Sequence, residues 1–231
     1  MDLFVQNWVF IVKGLAETFK LAGVSLLCAT LIAVLLGTLS VLHLPYLGRL
    51  IRGAVELFRA VPLVVNIFFF YFVAPTLGLD LSPFASVTLG LSLWGGANGT
   101  EIVRGGLASV SAHKWQSARA LGLSTGKIFL FIVWPQALKS ILPPYAGLLT
   151  LLVQGTSLGA LVGVSEFLKT SQIIVERSTV MDGVSPAFLV YSVVLLTYFV
   201  ICSCISQLSR YLERRFHAAA WVAAPRPLPM E

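Results

Sequence analysis

Charge is what this chain lacks. Of its 231 residues, 11% are Asp, Glu, Lys or Arg and 57% are hydrophobic, where a soluble domain carries roughly a quarter charged residues. That shortage excludes an ordinary soluble enzyme, and so many apolar side chains exclude a disordered chain. Cysteine is scarce as well: Cys28, Cys202 and Cys204 lie in apolar runs without metal-ligand spacing and read as small hydrophobes. His43, His113 and His217 stand singly, so none reads as a metal ligand. There is no HExxH helix and no paired acid–base set near a span end. Gly122 to Lys127 only superficially resembles a phosphate-binding loop. Three residues separate Gly122 from Gly126, and Ile128 stands where Ser or Thr is required. The chain is expected to be no enzyme and to bind no cofactor. Its start holds Asp2 and lacks a basic region ahead of a short apolar core, so no secretory signal is expected.

Long apolar runs are what the sequence has instead. A helix needs about 20 apolar residues to cross the hydrocarbon core. Charge-free runs of that order occur at Leu21 to Gly48, Ala60 to Leu79, Leu81 to Thr100, Ser140 to Ser165 and Gly183 to Ser209. Asp80 and Pro83, beside Pro75 and Gly78, mark a short turn between the second and third. Ten-residue alternating patterns do not recur, which excludes a barrel. The expectation is an all-α integral membrane protein with about five transmembrane helices. Residues 1–216 would form the membrane domain. A tail from residue 217 to 231, with Pro225, Pro227 and Pro229, reads as disordered.

Lys and Arg set the orientation. Twelve of the sixteen fall in the loop after the first run, the loop after the third and the C-terminal tail. Lys13, Lys20, Lys169 and Arg177 make up the other side. The bias puts the N-terminus outside and the C-terminus in the cytoplasm, as an odd number of spans demands. The net charge of +6 therefore reflects cytoplasmic loops, and no nucleic-acid partner is implied.

One connection is out of scale. About 40 residues, from Glu101 to Pro143, separate the third and fourth runs on the cytoplasmic side, and long connections are usually functional or disordered. Trp115, Ala118 and Leu121 recur at spacing three with Lys114 and Arg119 interleaved, which predicts a helix. Gly122 breaks it, and Ser124 can cap a second helix reaching about Val133. Periodicity alone leaves two readings open: a helix lying along the membrane surface, and a docking surface for a cytoplasmic partner.

The same loop reads Gln116-Ser117-Ala118, three residues, Gly122, nine residues, then Ile132-Val133-Trp134-Pro135. This resembles the cytoplasmic signature of ABC importer permeases: Glu-Ala-Ala, three residues, Gly, nine residues, Ile-x-Leu-Pro. Ala118, Gly122, Ile132 and Pro135 match in identity, whereas Gln116, Ser117 and Trp134 depart from it. Further segments resemble the polar amino-acid permeases within that family. They are Phe58-Arg59-Ala60-Val61-Pro62-Leu63, Glu101-Ile102-Val103-Arg104-Gly105-Gly106, Ala120 to Ser124, Pro135-Gln136-Ala137 and Thr156-Ser157-Leu158. The resemblance spans roughly Gly14 to Phe216.

What the resemblance implies is an ATP-driven importer for amino acids in the bacterial inner membrane, working by alternating access. This chain would be a permease subunit paired with an identical or related permease. Cytoplasmic ATPase subunits would hydrolyse the ATP, and a periplasmic amino-acid-binding protein would deliver substrate. Residues from about Val110 to Ile128 would be coupling helices, with Lys114, Gln116, Ser117, Ala118, Arg119, Gly122, Ile132 and Pro135 engaging the ATPase. Ala118 would let a partner backbone approach closely. A secondary transporter or channel for small polar solutes is the rival reading, disfavoured by five charge-free spans with no evident repeat.

Polar residues at mid-membrane are costly unless paired or facing water. Gln154, Thr156 and Ser157 in the fourth run, Asn66 in the second and Asn98 in the third are therefore candidates for the substrate pathway. Interhelical hydrogen bonding is the competing reading for the two asparagines. Glu166, at the outer end of the fourth run, would attract a cationic substrate or mark the interface. Gly155, Gly159 and Gly163 form small-xxx-small steps that predict close helix packing. Related permeases carry Lys and an acidic or amide residue where this chain has Gln154 and Gly155.

Overall fold

The computed structural model describes residues 2–41 and 45–222. Every regular element among them is helical. The first, α1 (Asp2–Val41), is followed by α2 (Pro45–Ala60) and α3 (Leu63–Phe68). α3 runs on through a π-helical turn (Phe69–Val73) and a 3₁₀ turn (Ala74–Leu77). Next come α4 (Pro83–Ala108), α5 (Ala112–Ala120) and α6 (Thr125–Ile128). A second π-helical turn (Phe129–Val133) joins α6 to α7 (Trp134–Gly155), which tightens into a 3₁₀ segment (Thr156–Val162). α8 (Phe167–Asp182) and α9 (Ala187–Val222) complete the order.

Among the described residues, three helical stretches are long and apolar enough to cross a membrane: Leu3–Val41, Thr125–Val162 and Ala187–Tyr211. A fourth is added if the pair Tyr46–Ala60 and Leu63–Leu77, bent by 102°, counts as one broken span. α4 is not among them. Its 26 residues are rich in Gly and Ser, yet at 1.5 Å per residue they reach about 39 Å, more than the hydrocarbon thickness.

α4 is the centre of the bundle, packed against α1, α2, α3 and α7. Missing side chains let its neighbours come close. A Cβ at Gly99 would lie 2.6 Å from Ala33 Cβ on α1, and one at Gly95 would lie 2.8 Å from Leu152 Cδ1 on α7. One core cluster gathers Leu21, Ala29, Ile67, Val87, Leu91, Leu148 and Leu152 from four helices. Few of the large apolar residues of α9 are buried: Leu195, Phe199 and Val200 are all exposed, as expected where lipid is the solvent.

Two expected boundaries are corrected. Leu21 to Gly48 is not one span: the helix starts at Asp2 and ends at Val41, and a new helix begins at Pro45. Proline suits a first helical turn and disfavours helix in the residue before it. α2 is a separate amphipathic helix that buries Ile51 and Val55 and exposes Leu50 and Arg52. The predicted second coupling helix does not stop near Val133 but continues into α7. Between the fourth and fifth runs lies a further helix, α8. As for the tail, α9 extends through residues 217–222, and 223–231 lie outside the described residues.

Candidate coupling surface and polar sites

The α5–α6 hairpin is locked from inside. Ala118, Ile128, Val133, Ala137 and Ile141 are buried together with Val103 and Leu107 of α4, and Trp115, Phe129, Ile132 and Trp134 pack against them. The turn is a Schellman closure. Leu123 N–H donates to Ala118 O at 3.2 Å and Gly122 N–H to Arg119 O at 2.9 Å. Gly122 sits between them at φ +76°, a conformation that L side chains resist.

This geometry sorts the signature residues. Gln116, Ser117, Arg119, Gly122 and Pro135 are exposed, and Ile132 is half-buried. Ala118 is 3% exposed inside its own chain's core, so it cannot receive a partner's backbone as expected. Its small side chain instead lets α5 lie flat on the base of the bundle. Lys114 is exposed and donates to Gln136 Oε1 at the start of α7, tying α5 to the helix it would move. Ser124 and Ser111 stand at the N-caps of α6 and α5 without a side-chain capping bond. Sequence reasoning used Leu121 only as part of the helical spacing and missed it as a surface residue. It is 81% exposed at the tip of the hairpin.

The six expected pathway residues do not form one site. Asn66 is buried and donates to Phe58 O and Val61 O, both at 3.3 Å, holding the joint between α2 and α3. Thr156 is fully buried and bonds Val153 O; Ser157 is half-buried and bonds Gln154 O. Gln154 is exposed and reaches Cys202 Sγ at 3.7 Å beside an open groove between α7 and α9 lined by Thr150, Tyr198, Ser206 and Arg210.

Glu166 is neither a rim charge nor an interface marker. With 0% exposure, it caps α8, its carboxylate accepting from Lys169 N at 2.7 Å, Leu168 N at 2.9 Å and the Tyr198 hydroxyl at 3.1 Å. Thr18 of α1 accepts from Phe167 N at 3.0 Å beside it. The glycine series also divides. Gly155 packs against Leu91 and Leu63, Gly159 against Val164 of its own return, and Gly163 is a left-handed turn at φ +87° with no neighbour to crowd.

Asn98 alone opens onto a second cavity, of about 640 Å³, lined by Arg59, Trp94, Glu101, Gly147 and Thr150. Its Oδ1 accepts from Arg59 Nε at 3.3 Å and its Nδ2 donates to Trp94 O at 2.9 Å. Glu101 is held from the other side by Arg104, whose Nε donates to Oε1 at 3.1 Å while Nη2 engages Oε2. Among the described residues no group of His, Cys, Asp and Glu could hold a metal ion.

A bundle of long apolar helices with a compact basic hairpin packed against it defines an all-helical integral membrane protein. The chain belongs to the family described as the binding-protein-dependent transport system inner membrane component, which matches residues 29–218. In that family ATP is hydrolysed by separate subunits. The probable glutamine ABC transporter permease protein GlnP of Bacillus subtilis (strain 168) is 32% identical over 210 residues, covering 91% of this chain and 95% of that protein. The L-cystine transport system permease protein TcyB of the same organism is 26% identical over 215 residues, covering 93% and 90%. The fold is that of a solved amino acid ABC transporter (TM-score 0.81, 21% identity, 92% of this chain and 96% of that one). It is also that of the inward-facing MetNI methionine ABC transporter (TM-score 0.73, 18% identity, 91% and 98%).

Proposed function

We propose that this chain is the membrane-spanning subunit of an ATP-driven, binding-protein-dependent importer for amino acids. It crosses the bacterial inner membrane five times, N-terminus outside, with α4 as the central third span. A second permease completes the pathway, and a periplasmic amino-acid-binding protein loads it. Asn98, Gln154 and Ser157 border the route, and substrate passes by alternating access.

The observation that carries this reading is the hairpin of α5 and α6. Its inner face is bonded to α4 and α7, while Gln116, Ser117, Arg119 and Leu121 face outward at one end of the bundle. Leu121 and Leu123 add exposed apolar surface at this tip among polar residues, which supports a protein contact there. An ATPase seated there displaces α7 directly, because α6 and α7 are one continuous helical run. Gln116, in place of the acidic residue of related permeases, makes this contact without a carboxylate.

Proteoliposomes containing the permease pair, the ATPase and the binding protein test the assignment. Uptake of radiolabelled amino acid should require ATP and stop when the ATPase is omitted. Uptake by the permease alone would support a secondary transporter instead.

A further inference from the structure

The cavity between α2, α4 and α7 contains chemistry that neither coupling nor packing uses. Its two charged lining residues are of opposite sign, Arg59 and Glu101. Asn98 accepts from Arg59 Nε, which orients the guanidinium, and among the described residues neither Nη group has a hydrogen-bond partner. A guanidinium fork fixed at one end is suited to bidentate capture of a carboxylate. Glu101 is fixed by Arg104, yet a carboxylate has about four acceptor positions and two bonds leave capacity for an ammonium. Trp94 adds an indole to the same wall, a surface that attracts cations. The volume of about 640 Å³ lies within the range of small-ligand sites. The groove beside Gln154 offers no such pairing, since among the described residues Arg210 is its only charged lining residue.

We infer that this cavity is a binding station for a zwitterion, with Arg59 taking the α-carboxylate and Glu101 and Trp94 the α-ammonium of an amino acid. The inference rests on the importer reading and deepens it. Recognition is directed at the backbone charges shared by all amino acids, so the station is unselective for side chains. Asn98 positions Arg59 and does not itself need to touch the substrate. Gly147 completes the wall, and a Cβ built there meets nothing within 4 Å, so a first side-chain carbon at 147 has room.

Two measurements separate the station from the reading it rests on. First, proteoliposomes of the full importer are screened for ATP-dependent uptake of each of the twenty ¹⁴C-labelled L-amino acids, which identifies the cargo. Uptake of none overturns the importer reading, and the station with it. Second, the identified amino acid is bound to the nucleotide-free permease–ATPase complex in nanodiscs without binding protein. Its α-amide, lacking the carboxylate, and its N-acetyl derivative, lacking the ammonium, serve as competitors.

In the parent complex each analogue should compete at least tenfold less well than the amino acid, the size expected for one charged hydrogen bond. Arg59→Gln should weaken amino-acid binding at least tenfold and erase the penalty on the α-amide while keeping that on the N-acetyl derivative. Glu101→Gln should do the converse, and Gly147→Leu should remove binding of all three. Size-exclusion co-elution of each variant with the ATPase establishes that it has folded. Uptake with Arg59→Gln binding unchanged within twofold, or a persisting α-amide penalty, overturns the station alone.

Discussion

The Tyr198 hydroxyl on α9 donates to the Glu166 carboxylate at the start of α8 across 3.1 Å. One buried side chain therefore ties two consecutive helices through residues 32 positions apart, while also capping one of them. Removing it should cost stability and leave specificity alone. Glu166→Ala leaves Leu168 N, Lys169 N and the Tyr198 hydroxyl without their acceptor. A lost N-cap costs about 1–2 kcal/mol, so the thermal midpoint of the purified complex should fall by about 5 °C. Glu166→Gln, which keeps an acceptor oxygen, should fall less. A changed preference for cationic over neutral amino acids with no change in midpoint would show that the carboxylate serves substrate instead.

Leu121 gives the cleanest test of docking, because it is exposed and touches none of the hairpin's inner packing. Leu121→Asp should leave the permease folded and reduce ATPase co-purification by tenfold or more. Gly122 is a poorer probe. Its positive φ makes any side chain there strained by about 1–2 kcal/mol, so loss of binding in Gly122→Trp would mix misfolding with lost contact.

Paired glycine substitutions on α4 should separate packing from mere presence in the helix. Gly99→Leu places its first carbon 2.6 Å from Ala33 Cβ, whereas a side chain at Gly105 meets nothing within 4 Å. The first variant should fail to yield a monodisperse permease and the second should purify normally. Fluorescence-detected size-exclusion chromatography reads both. Equal yields would mean that α1 and α4 do not pack as closely as described.

Asn66→Leu should loosen the joint between α2 and α3, since Phe58 O and Val61 O lose their donor. An unmet buried polar group costs about 1–3 kcal/mol. Limited proteolysis should then cut first between residues 58 and 63, and an unchanged cleavage pattern would count against the tie.

Much of this architecture was legible in apolar runs and in one spaced signature. Run length locates where a chain can enter lipid but is blind to how helices break. Leu42 to Leu44 contains His43 but no Asp, Glu, Lys or Arg, so Pro45 falls inside a charge-free run even though it starts a new helix. α8 was invisible because its composition is mixed, although Glu166 and Gly183 are helix start and stop residues at its two ends. The small-residue face was sought on Gly155, Gly159 and Gly163 and lies chiefly on α4, because a glycine's role depends on which neighbour approaches it. Spacing grouped Leu121 with Trp115 and Ala118 in one helix but could not tell that it lies exposed at the turn that ends that helix. The pairing of Arg59 with Asn98 joins residues 39 apart, a separation that no local pattern reports.

From Thr125 to Val162 the backbone stays helical for 38 residues, a rod of about 57 Å, roughly twice the lipid interior. Pro143 and Pro144 lie within it without ending it. Its two extremities are the hairpin that a motor protein would grip and the glycine bend leading to Glu166. A displacement applied at the hairpin end would thus have one unbroken backbone path to the bend beside Glu166, without a loop in between.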